Sequence, residues 1–343
     1  MKLEMNKKRI VLILIMSLIF FIVIKYFVFQ NILSLPQTKQ EIPINQNRIV
    51  TETNNEKIMF SPIELTGGMG FGILEQGNHG LIQSQTPQDT LTLNITNADY
   101  ESLNFILKIF YNFEEVEFQI QGEDQKRTEI LLYLEGGYEA FIPIHLPETL
   151  DIDDSFSRLT VGAFWFPEYA VGNWSELSKN LFWNTGTIVN YEVNYGFDNP
   201  PTLSVTPFEI ITESSFGGFA IHSNPAPPGD GSLWHFSTPH IVSSGEDFEL
   251  TFFANSHPLG DYVIISMLDW HQVSMSGKPF LWITPEHNAN NIGQYGTFTV
   301  TAPEESGFYE FVAILIPTPT LQTSQASHIP LEQVRFTIEV VED

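Results

Sequence analysis

The chain of 343 residues carries 15 basic and 41 acidic residues, a formal net charge of −26 at pH 7, and no cysteine. Five basic residues and one acid lie within the first 25, so the remainder has 10 basic and 40 acidic residues, a net charge of −30. Such a body repels phosphate backbones and anionic lipid head groups, which argues against nucleic-acid binding. The missing cysteines exclude disulfides, thiolate zinc sites and iron–sulfur clusters.

The N-terminal segment has the pattern of a membrane anchor. A basic cluster at 7–9 precedes an apolar run over 10–29 that only Lys25 interrupts. With Lys25 reaching the outer interface, the run is long enough to span a bilayer as a helix. We predict a cytoplasmic flank and transmembrane signal anchor over 1–29, in a single-pass protein of the cell membrane whose C-terminal body is extracellular. A cleaved signal peptide is the alternative, but residues 31–36 lack its small-residue cleavage pattern.

The rest of the chain divides into a linker and two similar stretches. Residues 30–56 are rich in Gln, Asn, Thr and Pro without hydrophobic periodicity, which predicts a flexible stalk. We predict β-sandwich repeat 1 over 57–200 and β-sandwich repeat 2 over 201–343, because a proline pair at 200–201 separates them.

An internal repeat supports this division. A Tyr-x-x-Phe motif and an Ala-x-x-x-Pro motif occur in both halves, at 138–141 and 163–167 and again at 295–298 and 313–317. Aligning the halves on these motifs and on the strands between them gives three expected pairs: Leu93 with Leu250 or Thr251, Phe105 with Val263, and Ala163 with Ala313.

The hydrophobic pattern of each half predicts strands. Residues 91–97 and 248–255 alternate apolar with polar side chains, as half-buried strands do. Each half contains about seven short apolar runs separated by Gly, Pro, Asn and Asp, and no long helical period follows residue 30. The fold class is therefore all-β: two tandem immunoglobulin- or fibronectin-like β-sandwiches after an N-terminal transmembrane helix. A closed sheet with the same number of strands is the alternative.

Three aspartates crowd one predicted turn of repeat 1. Asp151, Asp153 and Asp154 offer hard oxygen ligands of the kind that bind Ca²⁺. The twelve-residue calcium-loop pattern is absent, and a solvated acidic turn is the simpler interpretation. We expect no cofactor, with calcium at these aspartates as the alternative.

An aromatic segment in repeat 1 is the candidate ligand-binding surface. Trp165, Tyr169, Trp174 and Trp183 lie among asparagine and glutamate side chains, a mixture that suits a protein or glycan partner. The corresponding part of repeat 2 is polar and short, so the segment is an insertion. The competing interpretation is that these rings fill the interface between the repeats or cap a sandwich.

The histidines and the missing catalytic motifs bear on an enzymatic role. Seven of the nine histidines lie in repeat 2, without metal-ligand spacing, and 269–271 (Asp-Trp-His) is the best single cluster. No nucleophile-elbow, phosphate-loop or zinc-protease motif is present. The sequence therefore predicts a membrane-anchored surface protein with a binding or spacer role. The alternative is an exported hydrolase or metal-dependent enzyme built on loops of repeat 2.

Overall fold

β-Strands are the only regular elements in the part of the chain that the structure describes. The computed structural model describes residues 57–74, 90–147, 158–165, 167, 186–192, 209–211, 219–222, 239–255, 261–283, 293–317 and 332–342. Over these ranges the all-β prediction is confirmed, and they contain no helix that is long and apolar enough to cross a membrane. The predicted anchor over 1–29, the stalk over 30–56 and the repeat boundary at 200–201 lie outside the described residues.

The strands before residue 193 form two sheets. Sheet 1 contains β1 (Met59–Pro62), β2 (Met69–Ile73), β3 (Leu91–Asn97), β6 (Phe118–Ile120), β7 (Lys126–Arg127) and β9 (Tyr138–His145). Sheet 2 contains β4 (Leu103–Tyr111), β5 (Glu114–Glu115), β8 (Glu129–Leu134), β10 (Arg158–Trp165) and β11 (Gly186–Glu192).

The strands after residue 208 form two further sheets. Sheet 3 contains β14 (His240–Ser243), β16 (Tyr262–Leu268), β17 (His271–Gln272), β18 (Phe280–Ile283), β20 (Gly307–Pro317) and β21 (Glu332–Val341). Sheet 4 contains β12 (Glu209–Ile211), β13 (Phe219–His222), β15 (Asp247–Asn255) and β19 (Gly293–Thr301).

Three hydrophobic clusters fix the order of the layers. One cluster joins sheets 1 and 2, a second joins sheets 3 and 4, and a third joins sheet 2 to sheet 3. Alternate side chains of β3 are buried, as its sequence predicts for a strand covered on one face. All side chains of β10 and β16 are buried, because sheets 2 and 3 are covered on both faces. The four sheets therefore stack in the order 1, 2, 3, 4.

The two pairs of sheets share a set of strands in the same order. Sheet 1 runs β2-β3-β9 and sheet 4 runs β13-β15-β19, while sheet 2 runs β11-β10-β4-β8 and sheet 3 runs β21-β20-β16-β18. β1 pairs with β9 as β12 pairs with β19. Within the described residues the internal repeat is thus a repeat of topology, and each copy is a two-layer sandwich.

One backbone hydrogen bond occurs at the same place in both repeats and aligns them. The N–H of Asn112 donates to the carbonyl of Arg158 at 2.8 Å, and the N–H of Asp269 donates to the carbonyl of Glu310 at 2.7 Å. Both bonds close the turn after the central strand, β4 or β16, onto β10 or β20. Asn112 therefore corresponds to Asp269, and Arg158 to Glu310.

This alignment corrects a pairing that the sequence motifs predicted. Counting back along β4 and β16 places Phe105 with Tyr262, so the predicted pairing of Phe105 with Val263 is wrong by one residue. Phe105 and Tyr262 both face the core of their own sandwich, whereas Val263 faces the layer between sheets 2 and 3. A slip of one residue in a strand moves a side chain to the other face.

The other two predicted pairs have different outcomes. Ala163 corresponds to Leu315 rather than Ala313, because these residues pair with equivalent positions of β4 and β16. Leu93 and Leu250 both point into the core of their own sandwich, in agreement with the first predicted pair.

Candidate functional site

The two repeats face each other across a buried apolar layer. Sheet 2 supplies Ile106, Phe110, Phe113 and Phe164 to it, and sheet 3 with its turns supplies Val263, Ile265, Met267, Trp270, Trp282, Val312, Ile314 and Ile316. Each of these side chains is nearly or wholly inaccessible to solvent. Burial of this apolar surface stabilises the contact between the repeats, in the same way that a hydrophobic core holds together the two sheets of one domain.

The same tight turn enters this layer from each repeat. Residues Asn112 and Phe113 connect β4 to β5, and residues Asp269 and Trp270 connect β16 to β17. Their φ angles are 47° and 69° in the first turn and 49° and 69° in the second. A two-residue hairpin turn of this kind needs positive φ at both positions. Asn and Asp tolerate that conformation, but in Phe113 and Trp270 it is strained.

The strained residues place their rings against the opposite repeat. Phe113 meets Phe280 and Trp282 edge-on, with ring centroids 5.5 Å and 6.2 Å apart. Trp270 of repeat 2 contacts Phe164 of repeat 1, with ring centroids 5.5 Å apart. Because each repeat contributes a ring to the other, separating the repeats would expose both turns.

A buried ion pair of sheet 3 borders the same layer, and its arginine bonds across the layer to repeat 1. Arg335 Nε donates to Glu310 Oε2 at 2.9 Å, and Thr337 Oγ1 donates to Glu310 Oε1 at 2.5 Å. A terminal nitrogen of Arg335 donates to the carbonyl of Trp165 in repeat 1 at 3.2 Å, and the guanidinium lies 4.9 Å from the Trp270 ring. Arg335 therefore ties repeat 2 to the backbone of repeat 1 while neutralising a buried carboxylate.

A second polar link lies beside the first turn. The fully buried Lys108 pairs with Glu115 and, at 3.4 Å, with Glu129. Glu115 and Gln272 exchange hydrogen bonds, from the Glu115 N–H to Gln272 Oε1 at 2.6 Å and from the Gln272 N–H to Glu115 Oε2 at 3.1 Å. Gln272 Nε2 also donates to the carbonyl of Phe113 at 2.8 Å. β5 of repeat 1 and β17 of repeat 2 are thus held together by directional bonds.

One predicted ligand-binding residue lies in the described part of the chain. Trp165 is 5% exposed and packs edge-on against Phe105 in the core of repeat 1, with ring centroids 6.4 Å apart. Its carbonyl accepts the bond from Arg335. Tyr169, Trp174 and Trp183 lie outside the described residues, so their binding role stays a prediction.

The strands that flank the aromatic segment show where it is attached. Phe164 pairs with Gly186, so the segment leaves β10 and re-enters β11 at the same end of sheet 2. Leu103 pairs with Leu134 at that end, next to the loops that follow β3 and β8. The predicted binding segment and these two loops are therefore attached to one end of repeat 1.

The predicted metal sites are not brought together in the described residues. Asp151, Asp153 and Asp154 lie outside them, and no group of three or more His, Asp or Glu within them could hold a metal ion. His271 is exposed in β17. His240 packs against Phe248, and its partial burial lowers the pKa of the imidazole.

Three loops of repeat 1 are joined by backbone hydrogen bonds at one end of sheet 1. Loop 63–68 bonds to loop 135–137 through the Ile63 N–H and the Gly137 carbonyl, at 2.8 Å. It bonds to loop 98–102 through two 3.0 Å bonds, from Gly67 to the Ala98 carbonyl and from Ala98 to the Gly68 carbonyl. We call the surface formed by these three loops the Tyr100 end.

The buried side chain of Asn97 fixes this surface from below. Its Nδ2 donates to the carbonyls of Glu101 and Leu134, at 2.8 Å and 3.1 Å, and its Oδ1 accepts from the Asp99 N–H at 3.3 Å. Gly136 lies so close to the loop above it that a Cβ there would be 2.7 Å from the carbonyl of Tyr100. The loops therefore have a defined conformation without a ligand.

Large apolar side chains are exposed on the Tyr100 end. Tyr100 is 79% exposed, Leu65 is 41% exposed and Tyr138 is 36% exposed. The Leu65 side chain lies against Gly137 and the Tyr100 backbone lies against Gly136, so both residues border the same turn. Exposed apolar side chains that are grouped on rigid loops are typical of interaction surfaces.

Comparisons with known proteins leave the family of the chain open. No protein-family description matches the sequence, and no curated protein matches it. Among solved structures, the C-terminal domain of the Streptococcus agalactiae AgI/II polypeptide BspA is similar at a TM-score of 0.21 and 8% identity, covering 80% of this chain and 99% of that one.

Two further solved structures give similar values. The C-terminal domain of the Streptococcus pyogenes antigen I/II-family protein AspA has a TM-score of 0.20 and 10% identity, covering 81% of this chain and 100% of that one. Escherichia coli alpha-2-macroglobulin activated by porcine elastase has a TM-score of 0.19 and 12% identity, covering 80% of this chain and 22% of that one. TM-scores this low carry no conclusion about family or function.

Proposed function

We propose that this chain is a membrane-anchored extracellular surface protein whose two repeats form one immunoglobulin-like binding module for a protein or glycan. The basic cluster and apolar run over 1–29 support both the anchor and an extracellular position of the body. The net charge of −30 beyond residue 25 suits a body displayed in solvent.

The strand connections support the immunoglobulin-like part of the proposal. In repeat 2, β15 and β19 lie in one sheet and β16, β20 and β21 in the other. Strands B and E of an immunoglobulin domain are separated in this way from strands C, F and G. β14 adds to sheet 3 by parallel pairing with β21 at the edge.

The buried layer between sheets 2 and 3 is the observation that favours binding over a spacer role. A spacer gains reach when its domains join end to end through small contacts. Here the central strands of one sheet of each repeat are buried against the other repeat, which fixes the loops of the two repeats relative to one another. Fixed loops lower the ordering cost of binding.

The anchor is tested by cell fractionation combined with protease treatment of intact cells. We expect the full-length chain in the membrane fraction and its body accessible to protease from outside, because residues 10–29 remain in the bilayer. Recovery of a soluble, mature chain that starts near residue 36 would disprove the anchor.

The aromatic segment is tested by Trp174→Ala and Trp183→Ala. If the segment binds the partner, each substitution weakens binding to cells or glycans by roughly tenfold and leaves the melting temperature nearly unchanged. A large loss of thermal stability in either variant would show instead that the ring is structural.

A further inference from the structure

We infer that the Tyr100 end binds a cationic polypeptide segment that carries apolar side chains. The inference names the partner class of the module proposed above, and for the display of this surface outside the cell it rests on that proposal. Its chemical basis is independent, because it comes from the exposed side chains and charges of three described loops.

The Tyr100 end lies opposite the point at which the described chain enters sheet 1. β1 runs antiparallel to β9, with Met59 opposite Phe141 and Pro62 opposite Tyr138. Lys57 lies at the other end of sheet 1, next to Gly122. A Cβ added to Gly122 would be 3.3 Å from the Lys57 side chain. The described chain therefore enters sheet 1 at one end, and the Tyr100 end lies roughly 24 Å away along the strands.

The Tyr100 end is acidic. The three loops contain Glu64, Asp99, Glu101 and Glu135, and they contain no lysine or arginine. The glutamates are exposed and Asp99 is partly exposed. Carboxylates at the rim of an interface select partners of opposite charge and speed their association. The exposed face of Tyr100 adds a site where a lysine or arginine side chain can stack.

The Tyr100 end also offers an apolar contact surface on rigid loops. Tyr100, Leu65 and Tyr138 give this acidic rim an apolar centre, and tyrosine loses little rotamer entropy when it becomes buried. The hydrogen bonds of Asn97 and of the loop backbones hold the surface before a partner arrives. A neutral glycan would leave the carboxylates without a matching charge, so we assign the surface to a basic polypeptide.

The test measures binding of a fluorescent lysine–tyrosine copolymer to the full-length protein in neutral detergent micelles. A glutamate–tyrosine copolymer is the charge control. We expect saturable binding of the cationic copolymer alone, and we expect it to weaken as salt screens the carboxylates. Tyr100→Ser and the double variant Glu101→Gln/Glu135→Gln should each weaken binding by about tenfold.

Matched controls lie in repeat 2. Ile241→Ser removes an apolar side chain that is 62% exposed, and Glu249→Gln/Glu305→Gln removes two exposed charges. Both variants should bind within about twofold of the parent protein, since isolated surface changes have small effects. All variants should keep the parent melting temperature, which shows that losses arise from binding.

Three results would overturn the inference. Absence of saturable binding to the cationic copolymer is the first. Equal losses in the Tyr100-end variants and the repeat 2 controls would show general attraction to an acidic body. Binding of a neutral glycan that Tyr100→Ser abolishes and the charge variant leaves intact would make the surface a sugar site. A soluble, unanchored chain that still binds through Tyr100 would disprove the anchor while leaving this inference standing.

Discussion

Replacing Glu310 with alanine is expected to lower the free energy of unfolding by about 3–5 kcal/mol, the usual result of removing one partner of a buried ion pair. Arg335 would keep its charge inside the layer between the repeats without its carboxylate, and Thr337 would lose its acceptor. Urea-induced unfolding of the full chain, followed by tryptophan fluorescence, measures the loss.

Two comparisons show whether the loss comes from the buried charge. The double variant Glu310→Leu/Arg335→Met removes both charges and should recover much of the lost stability. Glu249→Ala removes an exposed carboxylate and should change the free energy of unfolding by less than about 0.5 kcal/mol. A Glu310→Ala protein as stable as the parent would mean that Arg335 is solvated and that the repeats are not joined in solution.

Shortening the Phe113 side chain is expected to destabilise the protein strongly. At this position the glycine variant should also be more stable than the alanine variant, which is the reverse of the usual order. Phe113→Ala should cost about 3–5 kcal/mol, because it empties the space against Phe280 and Trp282. Phe113→Gly loses the same ring but relieves the positive φ, so it should be more stable than Phe113→Ala by about 1 kcal/mol.

Phe118 is the matched control for the relative stability of the alanine and glycine variants. It is equally buried in the core of repeat 1, but it lies in β6 and is not among the positive-φ residues of the described chain. Phe118→Gly should therefore be less stable than Phe118→Ala by about 0.5–1 kcal/mol. If alanine and glycine ranked the same way at both positions, the strained turn would not contribute to the stability of the interface.

The alternation of side chains explains which parts of the fold could be predicted. β3 alternates apolar with polar residues, so its pattern indicates both a strand and the face that is buried. β4 and β16 are apolar on both faces, so their sequence does not show which side chains point inward. That is why the motifs identified the repeat but aligned Phe105 with a residue of the wrong face.

The layer between the repeats was not predicted, although the sequence carries a signal for it. Asn112-Phe113 and Asp269-Trp270 each follow the central core strand of their repeat, and a turn-forming residue before an aromatic at the same place twice indicates a shared turn. The same stretch, through Asp269 and His271, also has the composition of a weak metal cluster. The buried Glu310 and Arg335 are far apart in the sequence, so no local pattern brings them together.

The two-sided burial of sheet 2 has a consequence for synthesis. Sheet 2 can be complete once β11 has left the ribosome. Sheet 3, which covers one face of sheet 2, is complete only after β21 has been synthesised. At roughly 5–20 residues per second, the roughly 150 intervening residues take about 7–30 s. For that time a nascent repeat 1 exposes Phe110, Phe113 and Phe164 as an apolar sheet face. The order of the repeats along the chain therefore leaves the first one prone to aggregation until the second arrives.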